Sequence, residues 1–190
     1  HNPSYVTRYD LLEGIKEGGT FLLNSPWSVD EMESRLPAEM KQVIARKKLQ
    51  FYNINAVKIA AEVGLGGRIN MIMQTAFFKT IRVIEPTLAF AEMEKIIEKS
   101  YGKKGPKVVQ KNIAAMKKAV SALEQVHYPE SWANADSGAR HTPEEAPQYV
   151  REVVYPMMAL QGDRLPVSAF QPDGVVPPGT TRYEKRGVAV

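Results

Sequence analysis

Thr-Phe-Leu-Leu-Asn at residues 20–24, directly after Gly18-Gly19, is the stretch that decides the fold. A short apolar run between turn-forming residues is typical of a strand buried in a parallel sheet. A second run of this kind lies at residues 49–54. Two such strands with helical sequence between them predict an α/β fold, in which layered helices cover a mostly parallel sheet.

Helical patterns fill most of the chain around these two strands. Ser28 is predicted to cap a short helix, because its hydroxyl can accept from free N–H groups and acidic residues follow it. Apolar residues at helical spacing, bounded by Pro and Gly, predict further helices. These helices cover residues 5–15, 37–48, 56–63, 69–84, 87–101 and 106–126.

The predicted sheet is incomplete, because sheets usually have about five or six strands. We therefore expect it to continue upstream of His1 or to pair with another chain. The missing initiator methionine agrees with an internal piece of a larger protein.

We expect an α/β domain over residues 1–128. Residues 129–190 are rich in proline but keep frequent apolar residues, which predicts an extended arm that packs along other surfaces.

Composition excludes several kinds of site. The chain has no cysteine, and therefore no disulfide framework and no thiolate-bound zinc or iron–sulfur cluster of its own. The three histidines lack metal-ligand spacing, and no nucleophile elbow or Walker A sequence occurs. No apolar run approaches the ~18 residues that span a bilayer. We expect no catalytic residue, no metal and no membrane partner in this chain.

The loop Gly64-Leu-Gly-Gly-Arg68 is the first candidate ligand contact. Gly66, Gly67 and Arg68 precede a helix that begins near Asn70, and free N–H groups beside a cation can hold a phosphate. The alternative is that Gly64 only ends the preceding helix and the other glycines turn the chain.

Ser25 is the second candidate contact. It lies in Asn24-Ser-Pro-Trp27, just past the carboxyl end of a predicted strand, where α/β sheets bind their ligands. Its hydroxyl could donate to a phosphate or a carbonyl. The alternative is a strand-to-helix turn with a packed tryptophan.

A lysine cluster surrounds Gly102 and Gly105, and the whole chain has a net charge of +4. Its members are Lys99, Lys103, Lys104 and Lys107. The cluster suits either a polyanion or a solvated helix junction. Only Tyr101 is near it, without the interleaved aromatic residues of a nucleic-acid platform, so we expect no nucleic-acid partner.

Several stretches of the chain resemble pyruvate:ferredoxin (flavodoxin) oxidoreductases. They run in family order over essentially the whole chain, and together they are highly specific. They include Gly-Gly-Thr-Phe-Leu-Leu-Asn-Ser-Pro-Trp at 18–27, Ala-Val-Lys-Ile-Ala at 56–60, Gly-Leu-Gly-Gly-Arg-Ile-Asn at 64–70, Tyr-Gly-Lys-Lys-Gly at 101–105, Leu-Gln-Gly-Asp at 160–163 and Tyr-Glu-Lys-Arg-Gly at 183–187.

The resemblance implies the later half of the gamma-type domain (domain III) of such an enzyme, followed by the arm toward its ferredoxin-like domain. Such an enzyme converts pyruvate to acetyl-CoA and reduces ferredoxin or flavodoxin. It uses thiamine diphosphate, Mg²⁺ and [4Fe–4S] clusters, and coenzyme A is its co-substrate. The resemblance also implies that no cofactor binds within this segment, that the parent is a cytoplasmic homodimer, and that this domain is associated with coenzyme A.

Two other functions fit the residues. A basic α/β module could bind a polyanion or a partner protein through the lysine cluster. The same class of enzyme could also act on another 2-oxo acid. Under the hypothesis that the chain is part of this enzyme, we expect the segment to be inactive alone. Its local role would be scaffold and a coenzyme A contact, made by Gly66, Gly67, Arg68, Asn70 and Ser25.

Overall fold

The computed structural model describes residues 3–7, 9–81, 85–136 and 146–184. Two compact units are present. The first includes Leu12–Asp136, and the second combines Tyr5–Leu11 with the C-terminal part of the chain.

A small sheet forms the centre of the first unit. Its strands, in spatial order, are β1 (Thr20–Asn24), β2 (Gln50–Ile54) and β3 (Glu124–Gln125). β1 and β2 are parallel, and their register runs from Thr20 opposite Gln50 to Asn24 opposite Ile54. β3 is antiparallel to β2. The predicted mixed α/β fold with a mostly parallel sheet is confirmed.

Helices account for most of the rest of this unit. They are α1 (Val29–Arg35), α2 (Ala38–Arg46), α3 (Ala56–Glu62), α4 (Asn70–Ile81), α5 (Pro86–Tyr101) and α6 (Pro106–Ala122). The predicted cap of α1 is confirmed, because the Ser28 hydroxyl accepts from the Glu31 N–H at 3.3 Å. The Glu31 carboxylate accepts from the Ser28 N–H at 2.8 Å, which completes a capping box.

Small residues allow α3, α4 and α6 to pack closely around the end of β2. Ala60, Ala76, Ala115 and Ala119 are all fully buried in one cluster with Ile54. A second cluster links α4, α5 and α6. It contains Met71, Met93, Ile97 and Met116. The end of β2 and the middle of β1 therefore pack against a closely packed layer of helices through Ile54 and Leu22.

The last segment of the first unit is a 3₁₀ helix, Glu130–Asn134, that contacts α2. Trp132 is 3% exposed, and its indole N–H donates to the Glu33 carboxylate. The side chains of Gln42 and Arg46 donate to backbone carbonyls of residues 135 and 133, at 2.6 and 3.1 Å. This compact unit therefore extends through Asp136.

The predicted helix over residues 5–15 is wrong. The structure has a 3₁₀ helix at Pro3–Thr7, and residues 11–14 form a turn in which Gly14 has φ +73°. Tyr5–Leu11 belongs to the second unit and Leu12 to the first. Packing in two different units overrides the helical pattern of this stretch, whose intrinsic helix preference is weak.

The predicted end of the helix over residues 106–126 is also wrong. α6 ends at Ala122, and Glu124 and Gln125 pair with β2 instead. The Val126 N–H then donates to the Phe51 carbonyl at 2.8 Å. Pairing with the free side of β2 satisfies backbone groups of that strand, and this outweighs one more helical turn.

The second unit has its own small core. A π-helical turn, Val150–Val154, continues into α7 (Tyr155–Met158), and α8 (Thr181–Glu184) lies near the end of the described residues. Its buried cluster is Ala146, Val150 and Val154, with Tyr149, Tyr155, Met158 and Tyr183 packed against it. No helix among the described residues is long and apolar enough to cross a membrane.

Candidate functional site

Polar side chains connect β1 and β2 at their carboxyl ends. Ser25 is 1% exposed, and its hydroxyl donates to Oδ1 of Asn53 at 2.9 Å. The Asn53 amide nitrogen donates to the Trp27 carbonyl at 3.1 Å. Oδ1 of Asn24 accepts from the Ala56 N–H at 3.0 Å. These bonds fix the turn after β1 against the start of α3.

An open pocket of about 480 Å³ lies beside this polar junction. It is lined by Asn24, Ser25, Pro26, Asn55, Val57, Lys58 and Ala61. Val57 is 54% exposed, and the Asn55 side chain caps α3 by accepting from the Lys58 N–H at 3.0 Å. The pocket therefore combines an apolar wall with one cation, at the edge of the sheet where ligands bind in α/β folds.

Gly64 ends α3 in the way that the alternative interpretation expected. The Leu65 N–H donates to the Ala60 carbonyl at 2.8 Å, and the Gly64 N–H donates to the Ala61 carbonyl at 3.0 Å. Gly64 has φ +70°, and Leu65 is buried in the cluster around Ile54. This pair of bonds and its apolar contact form a Schellman motif. Gly64 thus has a structural role, and Gly66, Gly67 and Arg68, which follow the buried Leu65, are exposed to solvent.

Gly66, Gly67, Arg68 and Asn70 are all exposed. The Arg68 side chain makes no hydrogen bond or ion pair with the part of the chain that the structure describes. α4 begins at Asn70, and the N–H groups of a first helical turn have no partner within their helix. The free guanidinium of Arg68 and the free N–H groups of α4 therefore belong to the same short stretch of chain. Both can donate hydrogen bonds to a phosphate.

The structure does not bring all the candidate residues into one pocket. Gly66–Asn70 is continuous, but none of its residues lines the pocket that contains Ser25. α3 starts beside Ser25 and ends before Gly64, and its seven residues rise about 10 Å. The two candidate contacts thus lie at opposite ends of one short helix.

Lysines continue the basic surface from this loop along α6. Lys107, Lys111 and Lys118 are four and seven residues apart, which places them on one helix face. The Lys111 ammonium donates to the Gly64 carbonyl at 3.1 Å, and Lys118 pairs with Glu62. The hydrogen bond from Lys118 lowers the pKa of the Glu62 carboxyl.

Sequence reasoning missed Asn53 and Lys111, which hold the two candidate loops in place. A polar residue inside the apolar run of residues 49–54 was the available signal for Asn53. Lys111 gave no such signal, because its contact depends on the packing of α6 against α3. No group of three His, Cys, Asp or Glu side chains suited to a metal ion occurs among the described residues.

Comparison with protein families gives two matches. The family described as pyruvate ferredoxin/flavodoxin oxidoreductase matches residues 1–122. A second family, described as a domain of unknown function, matches residues 136–189.

Individual proteins match almost the whole chain. Pyruvate:ferredoxin oxidoreductase of Moorella thermoacetica is 60% identical over 190 residues, which are 100% of this chain and 16% of that protein. Pyruvate-flavodoxin oxidoreductase of Klebsiella pneumoniae is 48% identical over 189 residues, again 16% of its length. The mitochondrial pyruvate dehydrogenase (NADP(+)) of Euglena gracilis is 42% identical over 195 residues, 10% of its length. The chain therefore spans a small part of each relative.

Proposed function

Because the chain belongs to the pyruvate ferredoxin/flavodoxin oxidoreductase family, we propose that it works as part of a longer enzyme that oxidises pyruvate to acetyl-CoA and reduces ferredoxin or flavodoxin. The 60% identity over 190 residues to a pyruvate:ferredoxin oxidoreductase is the observation that carries this proposal. Thiamine diphosphate, Mg²⁺ and [4Fe–4S] clusters belong to other parts of that enzyme. The parent is a cytoplasmic homodimer in this proposal.

The finer placement is also a proposal. Residues 1–128 belong to the later half of the gamma-type domain (domain III), whose compact unit continues to Asp136, and the rest of residues 129–190 form an arm toward the ferredoxin-like domain. The mixed α/β fold of the first unit and the proline-rich sequence after it support this placement. The absence of cysteine from the chain agrees with clusters that lie elsewhere.

The local role that we propose is scaffold with a coenzyme A contact. Gly66, Gly67, Arg68 and Asn70 would hold a phosphate, because the guanidinium is free and the helix-start N–H groups point toward the same loop. Ser25 is the second proposed contact. Its hydroxyl proton is donated to Asn53, so it can meet a ligand only as an acceptor or after its hydroxyl rotates.

Replacing Arg68 with Ala in the full-length protein tests the local role. We expect the KM for coenzyme A to rise about tenfold, because one charge-assisted hydrogen bond to phosphate is lost. Arg151→Ala is the matched control, since Arg151 is also exposed and has no side-chain partner among the described residues. Equal coenzyme A affinity in the two variants would contradict the contact.

The enzymatic proposal is tested by an assay of the full-length protein with pyruvate, coenzyme A and methyl viologen as a small electron acceptor. We expect acetyl-CoA formation that depends on both substrates. A panel of other 2-oxo acids tests the alternative substrate. Because relatives named for ferredoxin, flavodoxin and NADP(+) all match this region, we propose that the electron acceptor is selected by other parts of the enzyme.

A basic binding module is the second candidate function, and the charge distribution favours it. Seven lysines and no acidic residue lie between Lys99 and Ala122, so the rest of this +4 chain is net acidic. All seven side chains are exposed. Binding of heparin or of an acidic protein that weakens steeply with salt would support this function. No binding at low salt would dismiss it.

A further inference from the structure

Two hydrogen bonds at the ends of β1 show which backbone groups of that strand face β2. The Gln50 N–H donates to the Gly19 carbonyl at 2.9 Å, and the Ser25 N–H donates to the Ile54 carbonyl at 3.2 Å. Backbone groups of alternate residues point to the same side of a strand. The odd-numbered residues of β1 therefore bond to β2, and the even-numbered residues point their N–H and C=O groups to the opposite side.

Thr20 and Leu22 are two of the residues whose backbone groups point away from β2. Neither residue makes a backbone hydrogen bond on that side with any residue that the structure describes. Both are half-buried, and the Leu22 side chain packs against the cluster of α3, α4 and α6. Unpaired backbone groups cost free energy when they lose contact with water, so an open strand edge made of half-buried residues favours a partner strand.

β1 also has the character of an interior strand. Phe21 and Leu23 are 9% and 6% exposed, and Phe21 stacks on Phe51 with ring centroids 5.2 Å apart. Its other face is covered through Leu22. Natural edge strands are protected by lysine, proline, bulges or covering loops. The sequence Thr-Phe-Leu-Leu-Asn contains neither a charged residue nor a proline, whereas a strand covered on both faces is usual inside a parallel sheet.

We propose that the open edge of β1 pairs with a further parallel strand from a part of the polypeptide outside these 190 residues. The matched region is only 16% of the length of its ferredoxin and flavodoxin relatives, so most of such a protein is available to supply the strand. The inference rests on the proposed function in one respect, which is that a longer parent supplies the partner.

Hydrogen exchange of the full-length protein tests the pairing directly. The amides of Phe21 and Leu23 face β2, and those of Thr20 and Leu22 face the open edge. Mass spectrometry with fragmentation at residue resolution would measure all four. We expect the Leu22 amide to exchange at least 100-fold more slowly than an unstructured amide, as the Leu23 amide does. Fast exchange at Leu22 beside slow exchange at Leu23 would overturn the proposal.

Photo-crosslinking identifies the partner strand. p-Benzoylphenylalanine in place of Thr20 should crosslink to a peptide of the same polypeptide outside residues 1–190. The same residue in place of Gln50, which lies opposite Thr20 on β2, is the matched control and should crosslink only within residues 1–190. Crosslinks from position 20 to β1 of a second copy, or to no strand, would contradict the proposal.

The catalytic assay separates the two proposals. A full-length protein without pyruvate-dependent activity refutes the proposed function, whatever the exchange data are. An active protein with an unprotected Leu22 amide refutes only the strand pairing. Activity of the crosslinking variants also serves as the check that they have folded.

Discussion

Gly64 illustrates how much a single residue can be constrained by both its backbone and its surroundings. It has φ +70°, and a Cβ atom there would lie 2.9 Å from Nζ of Lys111. We expect Gly64→Ala to lower the free energy of unfolding by about 1–2 kcal/mol, because a left-handed backbone is strained for Ala. Urea unfolding of the 190-residue chain measures this change.

Gly67→Ala provides the control for that experiment. No atom lies within 4 Å of the position of its Cβ, and its φ is not in the left-handed region. We expect its free energy of unfolding to stay within about 0.5 kcal/mol of the parent chain. Equal losses in the two variants would contradict the Schellman role of Gly64.

Asn53 is the second residue with a prediction of its own. Its replacement by Ala leaves the buried Ser25 hydroxyl without an acceptor and the Trp27 carbonyl without that donor. We expect a loss of about 2–4 kcal/mol in the free energy of unfolding, against about 1 kcal/mol for Ser25→Ala. The double variant should lose less than the sum, since both changes remove the same bond. Strict additivity would contradict the coupling.

At the scale of elements, the 3₁₀ helix Glu130–Asn134 is predicted to loosen in acid. The hydrogen bond from Trp132, and then that from Lys41, lowers the pKa of Glu33. A carboxyl whose pKa is lower when folded stabilises the fold above its unfolded pKa of about 4.3, and this stabilisation is lost as the pH falls through the folded pKa. As the pH falls below that unfolded value, we expect Trp132 to become more exposed.

Trp132 fluorescence in a Trp27→Phe background would follow this transition. Glu33→Gln is the matched variant, because it keeps the shape of the side chain but cannot titrate. We expect that variant to lose the acid transition in this segment. An identical acid transition in both proteins would assign the pH dependence to other carboxyl groups.

The elements also show what the sequence could and could not predict. β1 was predictable because Phe21, Leu22 and Leu23 carry a local apolar signal. β3 was not, because Glu124 and Gln125 are polar and become a strand only through β2. The prediction of a helix over residues 5–15 was wrong because the two ends of this stretch pack in different units.

The same limit holds at the candidate site. The position of Ser25 after a strand was predictable from the order of elements along the chain. Its bond to Asn53 was not, because that bond depends on the register of two strands. The sequence therefore could not predict which donors and acceptors of Ser25 and Asn53 remain free to bind a ligand.

At the scale of the whole molecule, the extent of the first unit gives a prediction. That unit includes Leu12–Asp136, and Trp132 is buried in it against α2. A chain that ends at residue 128 loses this contact and uncovers part of α2. We expect it to melt at least about 5 °C below a chain that ends at residue 136. Equal melting temperatures would support a domain that ends at residue 128.

The pairing of Asn53 with Glu124 has a consequence for synthesis of the protein on the ribosome. About 70 residues separate the two partners. The ribosome needs roughly 4–14 s to synthesise them, and β3 cannot pair with β2 before then. During that interval, an apolar strand pair has one side of β2 uncovered while α3 and α4 can already form. During synthesis, the uncovered side of β2 is therefore accessible to chaperones. Slow codons after residue 54 would lengthen the time for which it stays uncovered.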